Sequence, residues 1–102
     1  MFELIGKLFG KKKTDFAGLI KQGALIVDVR SPAEFKSGHI RGSRNIPLDS
    51  IQGKIAELKK LQKPLITVCR SGARSGMAKS ILSAHGLQVV NGGPWQQLER
   101  KI

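Results

Sequence analysis

The stretch PLITVCRSGARSGMAKSILSAH, residues 64–85, decides how this chain folds. Residues 64–68 are a short apolar run with the composition of a buried strand. Cys69, the only cysteine, follows directly. Arg70, Ser71, Gly72, Ala73, Arg74 and Ser75 then make a loop of small residues carrying two arginines. Met77, Ala78, Ile81, Leu82 and Ala84 recur at helical spacing beyond it, and Gly86 is a natural stop after His85. The pattern predicts strand, thiol, loop and helix in that order.

That order has an electrostatic consequence. A helix N-terminus presents unpaired backbone N–H groups and partial positive charge. A loop of small residues before it curls so that successive N–H groups point into one anion-binding nest. A cysteine at the rim of the nest has its thiolate stabilised. Arg70 and Arg74 add two cations where cations are disfavoured unless an anion is meant to sit there.

The flanking sequence supplies the rest of an α/β fold. Residues 24–29 are apolar apart from Asp28, the length of a strand buried on both faces of a parallel sheet. Ser31, Pro32 and Glu34 form a helix start, with an N-cap, proline at the first helical position and a capping-box glutamate. That role alone accounts for Glu34. Residues 14–22 predict a short helix capped by Thr14 and stopped at Gly23. Asp49 or Ser50 is placed to cap a helix through about Lys60, with Ile51, Ile55 and Leu58 on its buried side. Residues 87–90 read as another strand, and residues 92–95 as a turn into a last helix. Strands and helices alternate, which predicts a small parallel sheet flanked by helices on both faces. Its site lies at the carboxyl ends of the strands, where Cys69 falls.

Composition narrows the function classes. The chain has 102 residues, the size of one modest domain, and no internal repeat. A single cysteine excludes an internal disulfide, and a free thiol suits a reducing cytoplasm. No apolar stretch approaches the roughly 20 residues of a membrane span, and residues 1–13 lack the pattern of a secretory signal. The net charge of +11 suits anions. Phe2, Phe9, Phe16, Phe35 and Trp95 do not alternate with basic residues, however, so no nucleic-acid platform is expected. The charge reads as solvated surface and as a field drawing small anions to a cleft. Residues 1–13, MFELIGKLFGKKK, stand apart as an apolar and basic N-terminal extension. They read as a helix folded onto the domain, in preference to a membrane-surface anchor, because so short a segment buries little area in a bilayer.

CRSGARS resembles the active-site loop of the rhodanese sulfurtransferases. The form from Cys69 to Arg74 is C-x4-R, the loop length of that family. Related phosphatases carry C-x5-R after a histidine, whereas here Ser75 and Val68 occupy those places. DVRSPAEF at residues 28–35, GHI at 38–40, NIP at 45–47, and Asn91, Gly92, Gly93 and Trp95 resemble further family signatures in order and spacing. The resemblance covers residues 14–102 and implies a single rhodanese-like domain, an enzyme needing neither metal nor cofactor. It implies sulfur transfer in two steps. The Cys69 thiolate takes the outer sulfur of thiosulfate, or of a polysulfide or persulfide donor. The resulting persulfide passes it to cyanide, a thiol or a protein acceptor. The backbone N–H groups of residues 70–75 hold the persulfide, and the side chains of Arg70 and Arg74 help bind the dianionic donor. Asp28 and His39 are expected to brace the fold, and the protein to be a cytoplasmic monomer. A relay that carries a persulfide to a partner protein is the alternative, ahead of a phosphatase or arsenate reductase.

Overall fold

The computed structural model describes residues 14–102, and residues 1–13, the expected extension, lie outside the described residues. Four strands form one sheet: β1 (Leu25–Asp28), β2 (Arg44–Asn45), β3 (Leu65–Cys69) and β4 (Val89–Pro94). Their order is β2-β1-β3-β4, and every neighbouring pair is parallel. Parallel neighbours need crossovers, and helices supply them. These are α1 (Phe16–Lys21), α2 (Pro32–Lys36), α3 (Ile55–Leu61), α4 (Ala73–Ala84) and α5 (Trp95–Lys101), with a 3-10 helix over Leu48–Lys54 leading into α3.

Alternation along the strands builds two cores. Leu25, Val27, Leu65 and Cys69 face one side, against Ile51, Leu58, Ala78 and Leu82. Ile26, Ile66 and Val68 face the other, against Leu98 and the half-buried Phe16, Leu19 and Trp95. Both faces are therefore covered, which is why β1 and β3 read as unbroken apolar runs. Asp28 is the exception in β1, and it is fully buried. Its carboxylate accepts from Arg30 Nε at 2.9 Å and Nη2 at 2.7 Å. Arg30 also donates to the carbonyls of Glu34 and Gly38 and lies over the Trp95 ring. The pair pins the β1–α2 corner from inside.

Several element boundaries differ from the sequence expectation. Asp15, not Thr14, caps α1, its side chain accepting from Gly18 N–H. Neither Asp49 nor Ser50 caps a helix. The chain enters the 3-10 helix at Leu48, and the α-helix begins only at Ile55. Residues 92–94 are strand, not turn: β4 runs on through a bulge opposite Thr67 and Val68 and hands over directly to α5. Gly92 permits this, because a Cβ there would lie 2.8 Å from Ile66 Cγ2 and 3.0 Å from the Thr67 carbonyl. Met77, one of the apolar residues at helical spacing, is 57% exposed.

Candidate active site

Cys69 ends β3, and α4 begins four residues later. The expected loop is thus shorter than its sequence suggested. Only residues 70–72 are loop, while Ala73, Arg74 and Ser75 already form the first turn of α4. Gly72 is the N-cap, at φ 104°, a left-handed conformation that side chains resist. This turn folds the helix start back over the end of the strand. Thr67 fixes the junction from below, its buried Oγ1 donating to the Ser75 carbonyl at 2.9 Å.

The fold-back sets the place of the sulfur. Cys69 Sγ accepts from Gly72 N–H at 2.9 Å and from Ser75 N–H at 3.4 Å, and lies 3.3 Å from Ser75 Oγ. Ser75 Oγ in turn donates to the Gly72 carbonyl at 3.1 Å. Cys69 was expected at the rim of an anion nest. Instead its sulfur fills the nest, and the residue has no exposed surface. Burial pushes the thiol pKa up. Hydrogen bonding with the Ser75 hydroxyl and from the N–H groups of Ser75, Gly72 and Ser71 outweighs it, so the net shift is below the ordinary value of 9.0. The N–H groups of Arg70, Ala73 and Arg74 make no hydrogen bond to the sulfur.

The two arginines separate in role. Arg70 is exposed, and its side chain has no ion pair among the described residues. Arg74 was expected to be a free cation for an incoming anion. Its guanidinium instead donates to both carboxylate oxygens of Glu34, at 2.7 and 3.0 Å. Glu34 is the residue that sequence reasoning missed. Its capping-box contacts with Ser31 are present as expected, which left nothing unexplained. A signal did exist. β1 and β3 are parallel neighbours, so the helices that follow them start at the same edge of the sheet, and a carboxylate on one reaches an arginine on the other. The Arg74 hydrogen bonds, followed by the Ser31 N–H, lower the Glu34 pKa from 4.5 to about 2.

His39 lies outside this constellation. Its Nδ1–H donates to the Phe35 carbonyl at 2.8 Å, and its ring stacks on Phe35 at 3.7 Å. Asn45 donates to the carbonyls of Asp28 and Arg30, which ties β2 to the same corner. Against Arg74 in the first turn of α4, a cleft of about 730 Å³ opens between Val29, Ser31, Pro32, Pro47 and Leu48.

Comparison with known proteins agrees with the signatures. The rhodanese-like domain family model matches residues 12–94. The Bacillus subtilis protein YqhL, itself uncharacterised, is 41% identical over 67 residues, which are 66% of this chain and 52% of that protein. The thiosulfate sulfurtransferase GlpE of Pseudomonas syringae is 42% identical over 72 residues, 71% of this chain and 67% of that protein. The chain spans about half to two thirds of the length of the curated relatives it matches. A solved rhodanese with anions from E. coli superposes with a TM-score of 0.67 and 33% identity, over 72% of this chain and 89% of that one. The parallel sheet, the thiol at the end of its central strand and the matched residues lead to one conclusion: this chain belongs to the rhodanese-like domain family.

Proposed function

We propose that the protein is a sulfurtransferase that moves a sulfane sulfur from thiosulfate, or a related polysulfide or persulfide donor, through a Cys69 persulfide to cyanide or a thiol. One observation carries the reading: Cys69 Sγ is held by the Gly72 and Ser75 N–H groups at the N-terminus of a twelve-residue helix. Donors so placed stabilise a thiolate, and they would equally stabilise the outer sulfur of a persulfide. The thiolate attacks the outer sulfur of thiosulfate, sulfite leaves with the bonding pair, and a second nucleophile later removes the sulfur. No dedicated base is required, because the local hydrogen bonds have lowered the thiol pKa. Cys69 has no exposed surface, so a donor reaches Sγ only when residues 70–72 part or the side chain rotates out. Arg70, exposed and without an ion pair among the described residues, is the cation that meets the dianion, while Arg74 holds the loop through Glu34.

The catalytic unit is residues 14–102, with residues 1–13 an extension to it, acting as a cytoplasmic monomer without nucleic acid, metal or cofactor. Among the described residues no helix is long and apolar enough to cross a membrane. The test is thiosulfate-to-cyanide transfer by the purified protein beside Cys69→Ser, with intact mass measured after donor treatment. Turnover and a one-sulfur adduct, both absent from Cys69→Ser, are expected. An adduct without turnover would replace the enzyme with a carrier that relays sulfur to a protein partner.

A further inference from the structure

The cleft at the start of α4 does not suit the donor. Its walls are largely apolar, formed by Val29, Pro32, Pro47 and Leu48, and its volume of about 730 Å³ far exceeds a five-atom dianion. Apolar walls cannot replace the hydration of thiosulfate or cyanide. Two charged side chains line the cleft, Arg74 and Asp49. They differ in availability. Arg74 is paired with Glu34. Among the other carboxylates, Asp28 pairs with Arg30, Glu57 with Arg44, and Asp15 caps α1. Asp49 is exposed and makes no hydrogen bond or ion pair among the described residues. In a protein of net charge +11 it places a negative group with no partner among the described residues at a cleft bordered by Arg74, in the first turn of the helix that holds the sulfur.

We infer that this cleft seats the sulfur acceptor, a small organic thiol with an apolar body and an ammonium group. Its sulfur points past Arg74 toward the start of α4, its body lies over Pro32, Pro47 and Leu48, and its ammonium group meets Asp49. The inference rests on the sulfur-transfer reading above and adds a second surface to it. The donor uses the loop N–H groups and Arg70; the acceptor uses the apolar cleft. In the second half-reaction the acceptor thiol first loses its proton to solvent. Its thiolate attacks the outer sulfur of the Cys69 persulfide, and an S–S bond forms between acceptor and outer sulfur. The S–S bond to Cys69 breaks, its electron pair stays on Cys69 as thiolate, and the acceptor leaves as an organic persulfide. Charge is equal on both sides, and no outside oxidant or reductant is needed.

The test compares 2-aminoethanethiol, 6-aminohexanethiol and 3-mercaptopropionate as acceptors, with rates corrected for thiolate fraction, in wild type, Asp49→Asn and Asp49→Lys. Wild type should prefer the short aminothiol to the carboxylate by roughly twofold to fivefold, the reach of one exposed ion pair. Asp49→Asn should erase that preference and Asp49→Lys invert it. The longer aminothiol should outperform the shorter through its added apolar contact. A preference ratio unmoved by both Asp49 variants overturns the assignment. So does a wild type that passes sulfur to cyanide but to none of the thiols, a result that would point to a protein acceptor. Intact mass after donor treatment separates the two levels: without a Cys69 persulfide, the sulfur-transfer reading fails and the acceptor site falls with it.

Discussion

Glu34 and Arg74, 40 residues apart in sequence, join the first turn of α2 to the first turn of α4 through two charge-assisted hydrogen bonds. Each helix start thereby receives the partner that its electrostatics lack. Arg74 sits at a helix N-terminus, where a lone cation is disfavoured, and the Glu34 carboxylate supplies the missing anion. The same carboxylate closes the α2 capping box through Ser31. Two strand-to-helix corners on adjacent strands are thus one unit, and the sulfur-bearing loop lies within it.

The pair predicts a specific acid sensitivity. The folded-state pKa of Glu34 is about 2, below its ordinary 4.5. A depressed carboxylate stabilises the fold fully above the unfolded value and loses that contribution as pH falls through the folded value. Melting temperature should therefore drop between pH 4.5 and 2 more steeply in wild type than in Glu34→Gln, which keeps an oxygen for Ser31 but carries no charge. Parallel melting curves for the two proteins over this range would count against the ion pair.

The sulfur environment predicts the reactivity of the thiol. Ser75 takes part in two of the hydrogen bonds at Cys69: its hydroxyl oxygen accepts from the thiol, and its backbone N–H donates to Sγ. The rate of iodoacetamide alkylation against pH should give a midpoint below that of a free thiol. Ser75→Ala should move the midpoint upward, since the N–H remains and the hydroxyl is lost. A midpoint that does not respond would leave the backbone N–H groups as the sole source of the shift.

The sheet and its site were legible because the relevant signals are local. Apolar runs mark β1 and β3, and Ser31, Pro32 and Glu34 announce α2 at the residues where it begins. Cys69 at a strand end followed from the alternation of elements. What remained hidden depends on contacts between segments far apart in the chain. The continuation of β4 through residues 92–94 is set by pairing with β3, which overrides the turn character of two glycines and a proline. The burial of Sγ follows from the tightness of the Gly72 turn, and composition does not encode it. The Glu34–Arg74 contact needs the β1–β3 register, which the sequence does not display.

Removing one member of the buried Asp28–Arg30 pair should cost more than any surface change. Asp28 is fully buried and Arg30 is 3% exposed. Asp28→Ala would leave a buried guanidinium without its anion, a loss of about 3–5 kcal/mol. Arg30→Lys would lose the two-pronged contact and the carbonyls of Glu34 and Gly38 together. Urea unfolding should show both variants with lowered midpoints, and a near-normal midpoint for Asp28→Ala would sink the idea that this corner depends on the pair.

Gly92 offers a test of the bulge in β4. A methyl group there would meet Ile66 Cγ2, the Thr67 carbonyl and Val68 Cγ1, all within 3.0 Å, and all three groups belong to β3, the strand that delivers Cys69 toward the loop. Gly92→Ala should destabilise the protein by about 1–3 kcal/mol, the range for forcing extra volume into a packed core. Ala in place of Gly53, which has open space around it, is the matched control.

Loop length should govern turnover more than loop side chains do. Gly72 N–H and Ser75 N–H reach Sγ because only residues 70–72 separate β3 from α4. One glycine inserted between Ser71 and Gly72 moves the helix start away from the sulfur and withdraws both donors together. Sulfur transfer should then fall by about a hundredfold or more, the scale of losing one preorganised donor at a reacting centre. Melting temperature should change far less, because Arg70 and Ser71 are exposed and support no core contact. Ser71→Ala, which leaves the spacing intact, should retain most of the activity. Single-turnover persulfide formation followed by mass spectrometry reads the effect directly, and an insertion variant that forms persulfide at the wild-type rate would show that these N–H groups do not control the thiol.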